Sequence, residues 1–421
     1  MASKKYQTIV VGGGLAGMSA ANTLHNKGID YKVIEASNRS GGKVLSDRQN
    51  ADVFFELGPQ FVNKDMTEMA RLIKASGMEI KETDMPENAI SISSMNQEID
   101  NLTDFDTRLD DWDGQVDERL SALYDRFFDD EGVKKIISSN QAELLNIHPD
   151  HISARALKEV NARYESEMSD LTHQSSGPLN QVISYLEKNI AGNIFYNEPV
   201  QQVVETNEGC TIITGAGEYE AASVIVAVPP TVASRISYSP NLKDQYQEAL
   251  NSYTDGAIIK ASWVYRQPFW HNHLVNGEVK RIQEIIYTDP KGVVVMDSSK
   301  KGEEHRLTMF IGADEAKKLD QEGEEHQRRM ANQLLTEVFG DQAKNYEAMA
   351  LSAWVNHPYC GGGYGASVHI GGKVDAAETL REPFHQFAFA CSEIAEAFPN
   401  FMEGAVRSGQ HAANRIAKEK R

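Results

Sequence analysis

The chain has 421 residues, of which 41% are hydrophobic, and its formal net charge at pH 7 is -19. The length allows two or three domain-sized cores. The negative charge argues against nucleic acid as a partner, because a phosphate backbone would be repelled. It would attract a cationic substrate, although solubility alone is the simpler explanation for it.

The sequence also predicts the compartment. No apolar run approaches the roughly 18 residues that a membrane-spanning helix needs, and the polar start runs directly into the first strand, so we expect no signal peptide. Three widely spaced cysteines, Cys210, Cys360 and Cys391, predict reduced thiols in a cytoplasmic protein. No Cys/His spacing resembles a metal site, so we expect no bound metal.

The first predicted elements form a strand–turn–helix unit. A strand-like run over residues 6–11 leads into a glycine-rich segment that opens a helix. Gly12 allows the tight turn, Gly14 lets the backbone approach a pyrophosphate, and Gly17 lets the helix pack closely on the strand. This order of elements predicts a dinucleotide-binding site.

The next two features support that prediction. The free N–H groups around Leu15 and Ala16 begin the helix and would face phosphates. A second strand ends on Glu35, where an acid accepts hydrogen bonds from ribose hydroxyls and repels a 2′-phosphate.

The following stretch, residues 64–175, is mainly helical and polar. Apolar spacing predicts helices over residues 66–77 and 120–128, and Ser153 is placed to cap another helix. Residues 104–118 are very acidic, and we expect them to form a mobile surface segment.

Strands return in the second half of the chain. The alternating runs over 200–205 and 210–214 predict a hairpin, and the apolar run 224–228, halted by two prolines, is typical of a strand buried on both faces. Further strands are predicted between 256 and 354, interrupted by a helix over about 324–339. A short strand over 387–392 and a helix over 402–418 close the chain.

The segment from Glu35 to Lys43 resembles the E-A-x-x-R-x-G-G-R signature of the flavin-containing amine oxidase superfamily, which includes monoamine and polyamine oxidases. Other segments resemble further motifs of the same superfamily: Glu56–Phe61, Val224–Pro230, Ile259–Lys260, Pro268–Trp270, Phe389–Glu393 and Met402–Gly409. The resemblance covers both ends and the middle of the chain, and it implies FAD as the cofactor.

The resemblance also implies which residues hold the FAD. In addition to the glycine turn they are Glu35, Ala36, Arg39, Gly41, Gly42, Lys43, Gly58, Pro59, Gln60, Phe61, Val200, Ser392, Glu393, Met402 and Ala405. Arg39 and Lys43 can neutralise a pyrophosphate, and the start of the last helix can stabilise negative charge on the flavin. Gly363 stands where monoamine oxidases have the cysteine that links to the flavin, so we expect the FAD to be bound non-covalently.

Three residues are candidates for catalysis. Lys260 lies in an apolar strand, where a lysine is costly without a polar partner. The resemblance implies that it holds a water at flavin N5 and assists the reaction with oxygen; a strand lysine that reaches solvent is the alternative. Tyr364 and Phe401 match the two walls of an aromatic cage before the flavin, with core packing as the alternative, and Phe61 matches a third aromatic position.

These inferences predict an FAD-dependent oxidase that removes a hydride from the α-carbon of an amine, with imine hydrolysis and O2 as the final electron acceptor. An L-amino-acid oxidase is the second hypothesis, in which Arg155 or Arg163 would grip a carboxylate. Phe61 argues against one branch of that group, which has arginine there. A desaturase or porphyrinogen-type oxidase and a non-redox flavoprotein are weaker alternatives.

We predict an α/β fold in which a Rossmann-like FAD-binding domain is interleaved with a substrate domain made of an antiparallel sheet and a helical insertion. The FAD-binding domain comprises residues 1–63, 176–240 and 355–421, and the substrate domain comprises 64–175 and 241–354. The sequence leaves the substrate, the electron acceptor and the choice between a monomer and a homodimer open.

Overall fold

The computed structural model describes residues 5–49, 53–99, 104–382 and 386–418. The helices, α1 to α13 in chain order, are Leu15–Asn26, Thr67–Ala75, Asp104–Asp111, Leu120–Phe127, Glu131–Leu145, Ala154–Ala162, Asn180–Glu187, Pro230–Ala233, Asp244–Asn251, Ala313–Glu322, Glu324–Phe339, Ala376–Arg381 and Met402–Lys418. The strands, β1 to β24, are Lys5–Tyr6, Thr8–Val11, Tyr31–Ile34, Ser46–Arg48, Phe54–Glu56, Phe61–Val62, Ile80–Glu82, Ala89–Ser93, His173–Ser175, Ile194–Phe195, Val200–Thr206, Gly209–Thr214, Glu218–Ala221, Val224–Val226, Ser237–Ser239, Tyr253–Asp255, Ile258–Tyr265, His273–Val275, Glu278–Tyr287, Val293–Asp297, His305–Gly312, Ala348–Ala353, Ala366–Val368 and Phe387–Phe389.

A parallel sheet joins distant parts of the chain. Its strand order is β10-β3-β2-β14-β24, and every neighbouring pair is parallel. The strands are short apolar runs because both faces of the sheet are covered. Helices α1 and α13 pack on one face, while a second sheet, ordered β1-β13-β12-β11-β15, contributes to the core on the other. This is the predicted Rossmann-like arrangement.

A seven-stranded sheet forms the second layer of the molecule. Its order is β18-β19-β20-β21-β17-β22, with β8 paired to β19. All pairs are antiparallel except that of β8 with β19. On β17, Ile259, Ala261 and Trp263 pack into a core with α10 and α11. Because side chains alternate between faces, Ile258 and Lys260 lie on the opposite face, which borders the cavity described below.

The helical insertion differs from its prediction in one segment. The acidic stretch 104–118 was predicted to be a mobile surface segment, and this was wrong for its first half. Residues Asp104–Asp111 form helix α3, on which Phe105 and Leu109 are fully buried in a core with α4 and α5. Apolar residues four apart share one helix face, and that spacing outweighed the acidic composition. The predicted cap was confirmed, since Ser153 Oγ accepts a hydrogen bond from the Ala156 N–H at 3.0 Å.

Candidate active site

A cavity of about 1020 Å³ lies between the parallel sheet and the antiparallel sheet. It brings together nearly all of the site residues predicted from the sequence. Those that line it are Gly12, Gly14, Leu15, Ala16, Glu35, Ala36, Arg39, Gly41, Gly42, Lys43, Gly58, Pro59, Gln60, Phe61, Val200, Lys260, Tyr364, Ser392, Glu393, Phe401, Met402 and Ala405. Gly17 lies outside, where an added Cβ would be 2.0 Å from the Gly12 oxygen. Its part is therefore close packing of α1 on the turn.

The glycine turn after β2 has the shape of a phosphate cradle. Gly12 has φ +101°, and a Cβ there would lie 2.6 Å from the Ala227 oxygen, so only glycine fits. A Cβ on Gly14 would meet only the Gly42 Cα, at 3.9 Å. The missing side chain of Gly14 therefore opens space in the cavity instead of relieving a clash. No side chain caps the start of α1 there, which leaves its first N–H groups for an anion.

Glu35 is fixed at the end of β3 by hydrogen bonds to backbone N–H groups. Its Oε2 accepts from the Gly13 N–H at 2.6 Å, and its Oε1 accepts from the Ser37 N–H at 2.7 Å. These bonds tie the acid to the glycine turn and hold it at the cavity wall. A rigid carboxylate in this position suits recognition of a ribose.

Two cations lie at the same end of the cavity. The Arg39 guanidinium donates to the Gly42 oxygen at 2.6 Å and to the Val44 oxygen at 3.1 Å, which orders the second glycine loop. Lys43 Nζ donates to the Tyr364 oxygen at 3.0 Å. The loop and both cations supply donors of the kind that a pyrophosphate requires, and the Glu393 carboxylate lies 3.8 Å from Lys43 Nζ.

Lys260 is only 4% exposed and ties two parts of the site together. Its Nζ donates to the Gly58 oxygen at 3.0 Å. The same loop is held by Ser352 Oγ and Trp354 Nε1, which donate to the Leu57 oxygen at 2.6 Å and 2.8 Å. Three side chains on one sheet face therefore fix the loop that contains the predicted FAD-binding residues Gly58, Pro59 and Gln60.

The electrostatics around Lys260 favour its neutral form. Burial lowers the pKa of the Lys260 ammonium; the carboxylate of Glu56 opposes this shift and the guanidinium of Arg306 adds to it. Burial likewise raises the pKa of Glu56, against the hydrogen bonds that it accepts from Leu179 and Ser46 and the attraction of the two cations. Lys260 at the cavity wall and the buried Glu56, which does not line the cavity, therefore influence each other's charge.

Two aromatic residues predicted for the cage line the cavity, and each is fixed by a neighbour. The Tyr364 hydroxyl donates to Glu143 Oε1 at 2.8 Å, and its ring lies edge-on to the Phe310 ring with centroids 6.0 Å apart. The Phe401 ring lies 5.3 Å from the Tyr164 ring. These contacts limit ring motion, so both rings can orient a ligand.

The backbone around Gly363 leaves no room for a side chain. A Cβ there would lie 2.6 Å from Asn146 Oδ1. That oxygen accepts the Tyr364 N–H at 2.7 Å, so it cannot move freely. The nearby thiol of Cys360 is buried, and burial raises its pKa to about 11. Neither position offers a reactive thiolate, which fits the prediction of a non-covalent cofactor.

Sequence reasoning missed four acids that line the cavity, Asp106, Glu143, Asp170 and Glu284. They come from distant parts of the chain, and no motif contains them. It also raised Arg155 and Arg163 as candidates to grip a carboxylate, and neither of these lines the cavity. Arg163 instead donates to backbone oxygens between α12 and α13.

Known proteins share this sequence and fold. Human "Amine oxidase [flavin-containing] B" is 24% identical over 98% of this chain and 86% of its own length. The structure of cyclohexylamine oxidase from Brevibacterium oxydans has a TM-score of 0.86 at 21% identity and is covered over 100% of its length, with 99% of this chain. Putrescine oxidase bound to putrescine has a TM-score of 0.84 at 24% identity, over 99% of both chains. The two structures show the fold.

The family model for flavin-containing amine oxidoreductases matches residues 15–98 and 92–417. It therefore covers helix α1 directly after the glycine turn, Lys260, the aromatic residues and nearly all of the last helix. Within the part of the chain that the structure describes, no helix is long and apolar enough to cross a membrane. The chain belongs to the flavin-containing amine oxidoreductase family and is an oxidoreductase whose cofactor is FAD.

Proposed function

We propose that the protein oxidises a small amine at its α-carbon with O2 as the final electron acceptor. Bound FAD would supply the two-electron acceptor that takes the hydride and passes the electrons to O2. In the net reaction, one amine, one O2 and one water become one carbonyl compound, one ammonia and one hydrogen peroxide. The amine loses a hydride from its α-carbon and a proton from nitrogen, and water then hydrolyses the imine.

One observation, the continuity of the cavity, supports this proposal most strongly. The cavity that begins at the glycine turn continues to Lys260, Tyr364 and Phe401 without a break. A dinucleotide held at the Gly12–Glu35 end would therefore share one continuous space with a substrate at the aromatic end. Sharing one space would hold the reacting atoms in a fixed relative orientation.

The side chains at the aromatic end have separable parts in the reaction. Tyr364 and Phe401 present ring faces and edges that orient an amine. Burial lowers the pKa of Lys260 to about 7, so its neutral and charged forms are both present near neutral pH. We assign it the binding of a water and the movement of a proton during the reaction with O2.

The FAD would be held by shape and charge alone. The support is the arrangement of the Gly14 opening, the fixed Glu35 carboxylate, the Arg39 and Lys43 charges and the start of α13, all of which line the cavity. The Gly363 backbone, which admits no side chain, argues against a covalent link.

An amino acid fits the cavity less well than an amine. A substrate carboxylate needs a cation that is not used by the cofactor. Neither Arg155 nor Arg163 lines the cavity, and the carboxyl groups of Glu143 and Glu284 do. These carboxyl groups supply no positive charge to pair with a substrate carboxylate.

The domain division follows the sheets. We propose that residues 1–63, 176–240 and 355–421 form the FAD-binding domain, since the parallel strands β2, β3, β10, β14 and β24 come from these ranges. Residues 64–175 and 241–354, which hold the seven-stranded sheet and helices α3 to α6, would form the substrate domain. A homodimer and a cytoplasmic location stay predictions from the sequence.

Product analysis in air tests the proposed reaction. With an accepted amine, we expect hydrogen peroxide, ammonia and the carbonyl compound in equal amounts, measured by a peroxidase-coupled assay, an ammonia assay and chromatography. Carbonyl product without peroxide would show that O2 is not the acceptor. Peroxide without ammonia would show that the substrate is not an amine cleaved through an imine.

A further inference from the structure

The cavity wall beside Tyr364 carries three carboxylic acids that the proposed reaction does not use. Glu143 lies near the end of α5, Asp170 in a short 3-10 helix over Asp170–Thr172, and Glu284 on β19. The charges of Asp170 and Glu284 both raise the pKa of Glu143, so the three acids form one electrostatic group. Three separate elements therefore converge to place acid at one end of the site.

These acids lack the partners that buried acids usually have. Glu143 is only 7% exposed; its Oε1 accepts from Tyr364, and its Oε2 has no hydrogen-bond partner among the described residues. Glu284 accepts one bond, from Ser91 Oγ at 3.0 Å. Across the described ranges, no lysine, arginine or histidine forms an ion pair with any of the three. The group has an excess of acceptors and no cation.

This arrangement is costly for the protein alone. Burial is the main reason that the pKa of Glu143 rises, to about 8, and burial also raises the pKa of Asp170 and of Glu284. Buried carboxyl groups without a cation oppose folding, and groups with shifted pKa values concentrate at functional sites. A ligand cation would supply the missing partner.

The cavity wall around the three acids indicates which kind of chain would join that cation to the reacting amine. Side chains without charge line the cavity next to the acids: Phe61, Leu171, Ile258, Met296 and Phe310. Such a wall favours hydrocarbon and offers few hydrogen bonds. A ligand that satisfies both features has an apolar chain and a terminal positive charge.

We propose that the substrate carries a second ammonium group, as in an aliphatic diamine, and that Glu143, Asp170 and Glu284 bind that group while the other end reacts. This inference rests on the proposed amine oxidation and adds a substrate class and a binding site to it. The net charge of -19 would assist the approach of a dication. A positioning role for Glu143, limited to holding the Tyr364 hydroxyl, is the competing explanation.

The test compares two amines of equal chain length, α,ω-diaminobutane and n-butylamine, which differ by one ammonium group. We expect native enzyme to have a kcat/KM for the diamine that is at least about tenfold higher. Measured at about pH 9, where Glu143 is mostly ionised, the ratio of the two kcat/KM values falls at least about tenfold in Glu143→Gln, because one buried negative charge is lost. Glu131→Gln, an exposed acid at the other end of α5, is the matched control and keeps the native ratio.

The ratio of the two kcat/KM values distinguishes a second-cation site, formed by Glu143, Asp170 and Glu284, from a mere positioning role for Glu143. If Glu143 only positions Tyr364, Glu143→Gln lowers both kcat/KM values alike and leaves the ratio unchanged, which overturns the second-cation site. A native enzyme that oxidises both amines equally overturns it too, while the proposed amine oxidation stands. If neither these two nor any other amine is oxidised, the proposed function itself is wrong. Glu284→Gln provides the same test should Glu143→Gln fail to retain flavin.

Discussion

At the scale of single residues, burial sets the chemistry of this site. Lys260 and Glu56 are both less than a tenth exposed. Burial lowers the pKa of Lys260 and raises the pKa of Glu56, and both shifts favour the neutral form of the side chain. A lysine on a strand can extend to solvent, but here Nζ turns to the Gly58 oxygen inside the cavity wall. The position of the lysine was predictable from its apolar strand, whereas its partner came only with the fold.

Replacing Lys260 by methionine separates the two half-reactions. We expect Lys260→Met to retain FAD and to slow the reaction of the reduced enzyme with O2 at least about tenfold, because a proton donor is lost while the side-chain volume is kept. Stopped-flow mixing of reduced enzyme with oxygenated buffer measures this rate. Lys280→Met, on a different strand and outside the cavity wall, is the control. An unchanged rate in Lys260→Met would remove this lysine from the mechanism.

Glu143 gives the second-cation site a pH dependence. Because its pKa is raised to about 8, it is mostly protonated at pH 7 and gains charge as the pH rises. The affinity for a second ammonium should therefore increase between about pH 6.5 and 8.5, with Tyr364, Asp170 and Glu284 as the titratable neighbours. We expect the diamine-to-monoamine ratio of kcat/KM to rise over that range in native enzyme and to stay flat in Glu143→Gln. A ratio that falls as the pH rises would contradict this assignment.

The close contact at Gly363 has a measurable cost. Gly363→Ala places a Cβ 2.6 Å from Asn146 Oδ1, so we expect the free energy of unfolding to fall by about 1–3 kcal/mol. Gly192→Ala, where a Cβ would meet nothing within 4 Å, should change it by less than about 0.5 kcal/mol. Urea unfolding followed by fluorescence measures both. Equal stability of the two variants would show that Gly363 is not constrained.

At the scale of helices and strands, the spacing of apolar residues predicted helices that amino-acid composition did not indicate. Helices α11 and α13 begin and end where their apolar spacing predicts. The first half of the stretch 104–118 was misjudged, because its acidic residues obscured the spacing of Phe105 and Leu109. The acids of the second-cation site could not be found this way, since α5 and β19 meet only through tertiary packing.

The start of α5 should influence how firmly Glu143 is placed. Asp130 caps this helix by accepting from the Gly132 and Val133 N–H groups at 2.7 Å and 3.0 Å. We expect Asp130→Ala to lower the free energy of unfolding by about 1 kcal/mol. Asp129→Ala, at the neighbouring exposed acid, should have less than about half that effect. Chemical unfolding compares them, and an equal effect would show that general charge matters more than the cap.

At the scale of the whole molecule, the site depends on segments that the chain interleaves. The glycine turn near the start, Lys260 in the middle and α13 at the end meet around one cavity. Motifs at these three places predicted the cofactor end from the sequence. The substrate end follows from how the seven-stranded sheet and α5 face each other, and no local pattern encodes that orientation.

The most direct test of the account is anaerobic mixing of the flavin-loaded enzyme with a panel of amines and amino acids. We predict that at least one amine bleaches the flavin absorbance, that diamines do so at lower concentration than monoamines of equal length, and that amino acids do not. Bleaching by an amino acid alone would contradict the central claim, and so would a panel in which no amine bleaches the flavin.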